Sequence, residues 1–302
     1  MEGNFSKILA LVDYSAISLH AAEEAALIAS KFGSKLHLLH VSRKVDRSNL
    51  LGSGAYFFDA QENDEQGYYE KVDRLQKLKI DLLRRYDVSS VCFEERGSFL
   101  EVVKKHVVDF QINLVVLGSK RRSWLGEIVF QGKATSIIKD LDCEVLCVNP
   151  ESDSKQLKKI LLPIGKFVPK KRIRLAYELG KKFSARIHLI ALNNQVNNLS
   201  NESAKTLIAS YQYLKDVSNI PIECCTVQGK SLAEATMNYA KVVGADLILI
   251  NEGAESDLSG RILSKWRGNI VYHSSVPVLS VNTMNEGSQN KQNRLSAIKS
   301  FS

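Results

Sequence analysis

Apolar and polar positions alternate along this chain in blocks, and the blocks recur. Short continuous apolar runs fall near residues 7–12, 35–41, 91–95, 114–118 and 144–148, and again near 159–163, 186–191, 222–227, 247–251 and 278–281. Runs of this length without in–out alternation fit parallel strands covered on both faces. Between them, apolar residues spaced three and four apart predict helices near 19–31, 62–86, 99–110 and 133–141, then near 171–182, 202–217, 232–243 and 263–273. Strand–helix–strand alternation makes an open parallel sheet with right-handed crossovers and helices on both faces.

The recurrence extends to the residues themselves. Lys7-Ile8-Leu9-Ala10-Leu11-Val12-Asp13 returns as Lys159-Ile160-Leu161-Leu162-Pro163-Ile164-Gly165. Phe32-Gly33-Ser34-Lys35-Leu36-His37 returns as Phe183-Ser184-Ala185-Arg186-Ile187-His188. Gly97 is answered by Gly229, and Leu114–Leu117 by Leu247–Ile250. Each copy carries enough elements to close its own core, so the expectation is a duplicated α/β domain, with five parallel strands per copy. The divisions expected are residues 1–149, a polar linker over 150–158 with no apolar period, a second domain over 159–282, and a tail over 283–302, rich in Asn, Ser, Gln and Lys, that is expected to be disordered.

The copies differ in one connection. After the second strand the first copy has a long segment, 42–61, with Gly52-Ser53-Gly54 and Tyr56-Phe57-Phe58. It reads either as a lid over a crevice or as a packing flap.

Composition removes several function classes. With 44% hydrophobic and 25% charged residues in 302, the chain is globular, and no apolar run is long enough to cross a bilayer. The opening residues lack a signal-peptide pattern, which points to the cytoplasm. The five cysteines, Cys92, Cys143, Cys147, Cys224 and Cys225, have no metal spacing and are expected as buried small hydrophobes. The net charge of +8 is scattered, and its densest run, Lys170-Lys171-Arg172-Ile173-Arg174, reads as a solvated helix face. No nucleic-acid stripe or membrane face is expected.

Ligands of such sheets lie beyond the carboxyl ends of the strands. There the first copy offers Asp13 and Ser15 after its first strand, Val41 after its second, and Gly118 after its fourth, leading to Gly132 and Lys133. Asp13 and Ser15 can either meet a ligand or cap the first helix; the spacing leaves both open. His37 and His40 sit within a core strand and read as structural. No Ser–His–Asp set, paired carboxylates or phosphate-loop motif can be assembled.

The order and spacing of these runs resemble the universal stress protein family over nearly the whole chain, to about Val281. Ile8–Ser15 looks like its first strand and Asp-x-Ser turn, Leu36–Val41 like its second strand, Leu114–Ser119 like its fourth, and Cys143–Val148 like its closing strand. The resemblance implies a Rossmann-like fold of the adenine nucleotide alpha hydrolase type in each copy. It also implies a pseudo-twofold intramolecular dimer through strands 144–148 and 278–281, with Val145, Cys147, Val278 and Val281 at the seam, and a capacity for higher homo-oligomers. It implies a non-enzymatic stress-response role, with ATP or AMP as the ligand of the first copy alone, at Asp13, Ser15, Val41, Gly118, Gly132 and Lys133. The alternative it leaves is an adenine-nucleotide protein that binds or hydrolyses ATP through that copy.

The family's glycine-rich phosphate motif is degraded here. Arg121 and Gln131 stand at two of its glycines, and the second copy has Asn251, Ala254, Ser264 and Lys265 in its frame, with Gly165 in place of Asp13.

Overall fold

A computed structural model describes residues 5–42, 57–119, 140–149, 157–193, 200–251 and 274–282, the side chains of 57–66 and 200–201 excepted. The chain divides into two compact units, residues 1–118 and 119–302. The expected helices over 133–141 and 263–273 and most of the 42–61 segment fall outside the described residues, as do nearly all of the linker and the tail.

The first unit contains β1 (Lys7–Leu11), α1 (Ala16–Phe32), β2 (Lys35–Ser42), α2 (Phe57–Tyr86), β3 (Ser90–Arg96), α3 (Phe99–Phe110) and β4 (Leu114–Gly118). Its strands lie in the order β3-β2-β1-β4, all parallel, with Ile8 facing Leu36 on one side and Leu114 on the other. The burial of Ile8, Leu9, Ala10 and Leu11 makes β1 the core strand, covered on both faces.

Alanines give α1 its close fit. Ala21, Ala22, Ala25, Ala26 and Ala29 are buried, and Gly33 in the left-handed region (φ 70°) ends the helix by returning its N–H to the Ala29 carbonyl. The approach is closest at β4, where a Cβ on Gly118 would stand 2.5 Å from Ile17 Cγ2 and 3.0 Å from Ile17 backbone atoms.

Helix α2 begins at Phe57, five residues before the expected start, so Phe57 and Phe58 belong to a helix and not to a loop. Neither Gly nor Pro interrupts 55–66, and Asp59, Glu62, Asp64 and Glu65 suit the positive end of a helix.

The second unit contains β5 (Glu144–Val148), β6 (Lys159–Ile164), α4 (Lys170–Phe183), β7 (Arg186–Leu192), α5 (Ser200–Val217), β8 (Ile222–Val227), α6 (Leu232–Val243), β9 (Leu247–Asn251) and β10 (Val278–Val281). The order is β5-β10-β9-β6-β7-β8, parallel throughout except between β5 and β10. That ladder draws β5, the last strand of the first repeat, into the second unit. Its register centres on Leu146–Leu279, which hold equivalent positions in the two repeats. Val145, Cys147, Val278 and Val281 are all buried there.

Two equivalent asparagines close the ladder. Asn149 Nδ2 donates to the Ser274 carbonyl at 2.8 Å, and Asn282 Nδ2 donates to the Leu141 carbonyl at 3.2 Å and to Asp142 Oδ1 at 2.9 Å. Both side chains are buried, so each bond replaces water that neither could keep.

The cysteines depart from expectation. Cys143 and Cys147 are buried, Cys92 and Cys225 are half-buried, and Cys224 is exposed. The reason is topological: β8 is an edge strand with only one neighbour, and most of its side chains reach solvent.

Replacing Gly118 by Ala should lower stability by about 1–3 kcal/mol, since the methyl would meet helix backbone that cannot swing aside. A thermal melt unchanged from the parent protein would show that α1 is free to retreat.

Candidate functional site

The crevice of the first unit forms where β1 leaves the sheet before its neighbour does. Val12 N–H still donates to the Leu39 carbonyl at 2.9 Å, but the chain then turns at Asp13 while β2 runs on to Ser42. Backbone groups of a strand point alternately to its two neighbours. The Leu39 carbonyl faces β1, and the Ser42 carbonyl faces β3, where it accepts from Gly97 N–H at 3.0 Å. Val41 therefore turns its N–H and carbonyl towards the space that β1 has vacated. Neither has a partner among the described residues.

The turn itself is tied down by short polar side chains. Asp13 Oδ1 accepts from Ser15 N–H at 3.0 Å and from Ser15 Oγ at 2.6 Å. Ser15 Oγ in turn accepts from Ser18 N–H at 3.2 Å as the cap of α1, and Ser18 Oγ accepts from Asp13 N–H at 3.1 Å. Asp13 and Ser15 thus fulfil the capping alternative, and the carboxylate lies against the positive end of the helix. One Asp13 oxygen is committed; Oδ2 has no partner among the described residues.

Three residues here were not legible as site residues. Tyr14 adopts a left-handed backbone (φ 63°), its ring centroid is 4.7 Å from that of His40 and 4.2 Å from the Arg74 guanidinium, and its hydroxyl donates to the Lys71 carbonyl at 2.6 Å. Burial, with Glu94 nearby, raises its phenol pKa, so it stays a neutral donor. His40 Nδ1 bonds the Val12 carbonyl at 2.7 Å, which spends that carbonyl at the strand end. Ser18 was readable only as a second serine one turn after Ser15. The structure therefore brings together Asp13, Ser15, Val41 and Gly118 at one strand-end region, whereas Gly132 and Lys133 lie outside the described residues. At Gly118 the missing Cβ makes room for Ile17 of α1.

Residues 4–149 match the sequence profile of the universal stress protein family. The first repeat is thus a universal stress protein domain. No curated protein matches it significantly. Among solved structures, a universal stress protein from Archaeoglobus fulgidus DSM 4304 is 14% identical, with a TM-score of 0.68 over 93% of this chain and 99% of that one. A functionally unknown protein from Pseudomonas aeruginosa PAO1 is 17% identical, with a TM-score of 0.55 over 92% of each chain. Both span the two repeats, and at these identities they speak for the universal stress protein fold alone. A shorter relative, a universal stress protein in complex with cAMP, is 18% identical over 43% of this chain, with a TM-score of 0.37.

Away from the crevice, the universal stress protein fold of the first unit buries a histidine pair between β2 and α3. His37 Nδ1 and His106 Nε2 stand 3.0 Å apart, with Phe93 and Phe110 packed against both rings. One ring must donate and the other accept, so the accepting nitrogen carries no proton. Burial lowers both pKa values; Lys7 and Lys35 add to the effect at His37, while at His106 the facing His37 adds to it and Asp109 opposes it, leaving a value of about 4. In the second unit the same place holds His188 with Tyr239, Nδ1 to hydroxyl 3.2 Å.

Among the described residues no helix is long and apolar enough to cross a membrane and no cluster of His, Cys, Asp or Glu is placed to hold a metal ion.

The histidine pair makes stability depend on acid. The unfolded chain takes a proton on His106 near pH 6.5 and the folded one near pH 4, so this contribution is complete above pH 6.5 and declines as pH falls to 4. His106→Tyr, which copies the second unit, should flatten the fall in melting temperature across that window. A slope equal to the parent's would remove the pair from the acid response.

Proposed function

We propose that this protein is a non-enzymatic stress-response regulator of the cytoplasm, whose first unit binds an adenine nucleotide, ATP or AMP, at the carboxyl ends of β1 and β2. The observation that carries this reading is the Val41 backbone, with a donor and an acceptor side by side facing the crevice. An adenine edge offers the complementary acceptor and amino donor. Asp13 Oδ2 is positioned to accept from a ligand hydroxyl without loosening the cap that Oδ1 holds.

The same bonds argue against catalysis. Ser15 Oγ donates to Asp13 and accepts from Ser18 N–H, so it is held as a helix cap, and the base it contacts is a carboxylate, a weak one for a serine hydroxyl. His40 has committed Nδ1 to backbone and its ring to Tyr14. In the family's sequence frame Gly132 and Lys133 would serve the phosphates, with Arg121 and Gln131 in place of two glycines; side-chain charge would then do what backbone N–H groups do in an intact motif.

The test is calorimetric titration of the intact protein with ATP and with AMP. Saturable binding is expected with both, weakened at least tenfold in Asp13→Ala and accompanied by no ATP turnover above background. A ligand-free melt of that variant separates loss of the site from loss of the helix cap. Absence of heat at millimolar nucleotide overturns the reading, and turnover lost in Asp13→Ala would replace it with an ATPase.

A further inference from the structure

We propose that the second unit binds a small aromatic acid bearing a hydroxyl, in a cleft between the last turns of α4 and α5. The cleft measures about 740 Å³ and lies at the amino ends of β7 and β8, away from the carboxyl ends where such sheets ordinarily hold ligands. Small-molecule sites commonly enclose about 300–1,000 Å³. The nucleotide site of the first unit plays no part in this reading.

The cleft is open because of what the second repeat lacks. The pairings Leu36–Ser90 and Ile187–Ile222 make Ser90 and Ile222 equivalent. Counting back from them, Tyr86 answers to Ser218 and Leu82 to Leu214, and both leucines are fully buried, as that register requires. In the first copy the Arg85 guanidinium lies over the Tyr86 ring, 5.5 Å from its centroid, and bonds Glu23 of α1 at 2.7 Å and Asp81 of α2 at 2.6 Å. Ring and guanidinium together strap the end of α2 to α1. In the second copy Val217 stands for Arg85 and Ser218 for Tyr86, so the strap is gone. The counterpart of Glu23 is Arg174, whose Nε donates to the Tyr213 hydroxyl at 2.9 Å.

The floor asks for a hydrogen-bond donor. A Cβ on Gly180 would stand 2.9 Å from Ile220 Cδ1, so the bare glycine lets Ile220 close the bottom of the cleft against α4. Beside it, Ser218 Oγ is shielded from solvent and has no hydrogen-bond partner among the described residues. A hydroxyl in that state is costly, and rotation about one side-chain bond presents it to a ligand. The end of α5 is also short of a cap. Asp87, in the left-handed region (φ 55°), closes α2 by donating its N–H to the Leu83 carbonyl at 3.0 Å; the equivalent Asn219 makes no such bond among the described residues. Open carbonyls at the negative end of a helix favour a ligand hydroxyl.

The rim asks for an anion. Lys181, Lys215 and Asp216 line the cleft, are exposed, and have no ion-pair partner among the described residues. Two ammonium groups against one carboxylate leave a single positive charge, which suits a monoanion. Between rim and floor the lining is Tyr177, Val217, Ile220 and Pro221, a surface for the face of a ring. The ligand thus sits with its hydroxyl inward and its carboxylate between the lysines.

The experiment is calorimetric titration of the intact protein with sodium para-hydroxybenzoate, with thermal melting alongside. Saturable binding and a rise in melting temperature are expected, unaltered by saturating ATP. Benzoate, which lacks the hydroxyl, and para-hydroxybenzyl alcohol, which lacks the charge, should each bind at least tenfold more weakly. Ser218→Tyr, which copies the first repeat, should abolish binding. Lys181→Gln combined with Lys215→Gln changes only exposed side chains and should weaken it at least tenfold, which keeps the test decisive even if Ser218→Tyr does not fold. No saturable heat with para-hydroxybenzoate, equal binding of either analogue, displacement by ATP, or affinity retained in the double lysine variant would each overturn the proposal.

Discussion

Parallel pairing imposes one condition on this chain: each strand must leave the sheet at its carboxyl end to begin a crossover, and central strands leave beside neighbours that continue. The last residues of those neighbours then face a gap with backbone groups still seeking partners. Val41 is in that position because β1 turns at Asp13. The His40 bond to Val12, the Asp13–Ser15–Ser18 cap and the close seat of α1 on Gly118 all fix where that departure happens. The second unit meets the same condition with different chemistry, the Arg172 guanidinium donating to the Pro163 carbonyl at the end of β6.

Duplication therefore works as an internal control on which residues belong to the fold. Buried strands, the histidine on the second strand of each copy, and the helix residue it meets recur as His37–His106 and His188–Tyr239. Charge and capping at the first helix do not recur. A residue that differs between copies at an equivalent position, as Gly118 and Asn251 do, answers to the local packing of its own copy rather than to what the architecture demands.

Much of the architecture was legible in the sequence because continuous apolar runs of β length allow few alternatives. The closing strands and the α6 span were read to the residue. The start of α2 was not, since aromatic residues beside glycines look like loop until the absence of a breaker between Gly54 and Gly67 is weighed. Exposure of Cys224 was also hidden, because an apolar run does not say whether its strand lies in the middle of a sheet or at its edge. In the site, residue types announced Asp13 and Ser15 but not their roles. The cap and the carboxylate use the same atoms, and only the geometry shows that Oδ1 is committed and Oδ2 is not.

The ladder between β5 and β10 has a consequence for any shortened form of this protein. Since Leu146 and Leu279 are equivalent residues facing one another, each closing strand is nearly its own complement. A fragment ending after Asn149 would carry β5 with a bare hydrogen-bonding edge and a buried-type apolar face turned outward. The partner best matched to that edge is the same strand of another copy, in the same antiparallel register. Cutting the chain between its repeats would thus not release a monomer; it would exchange an internal pairing, independent of concentration, for an external one that dilution undoes.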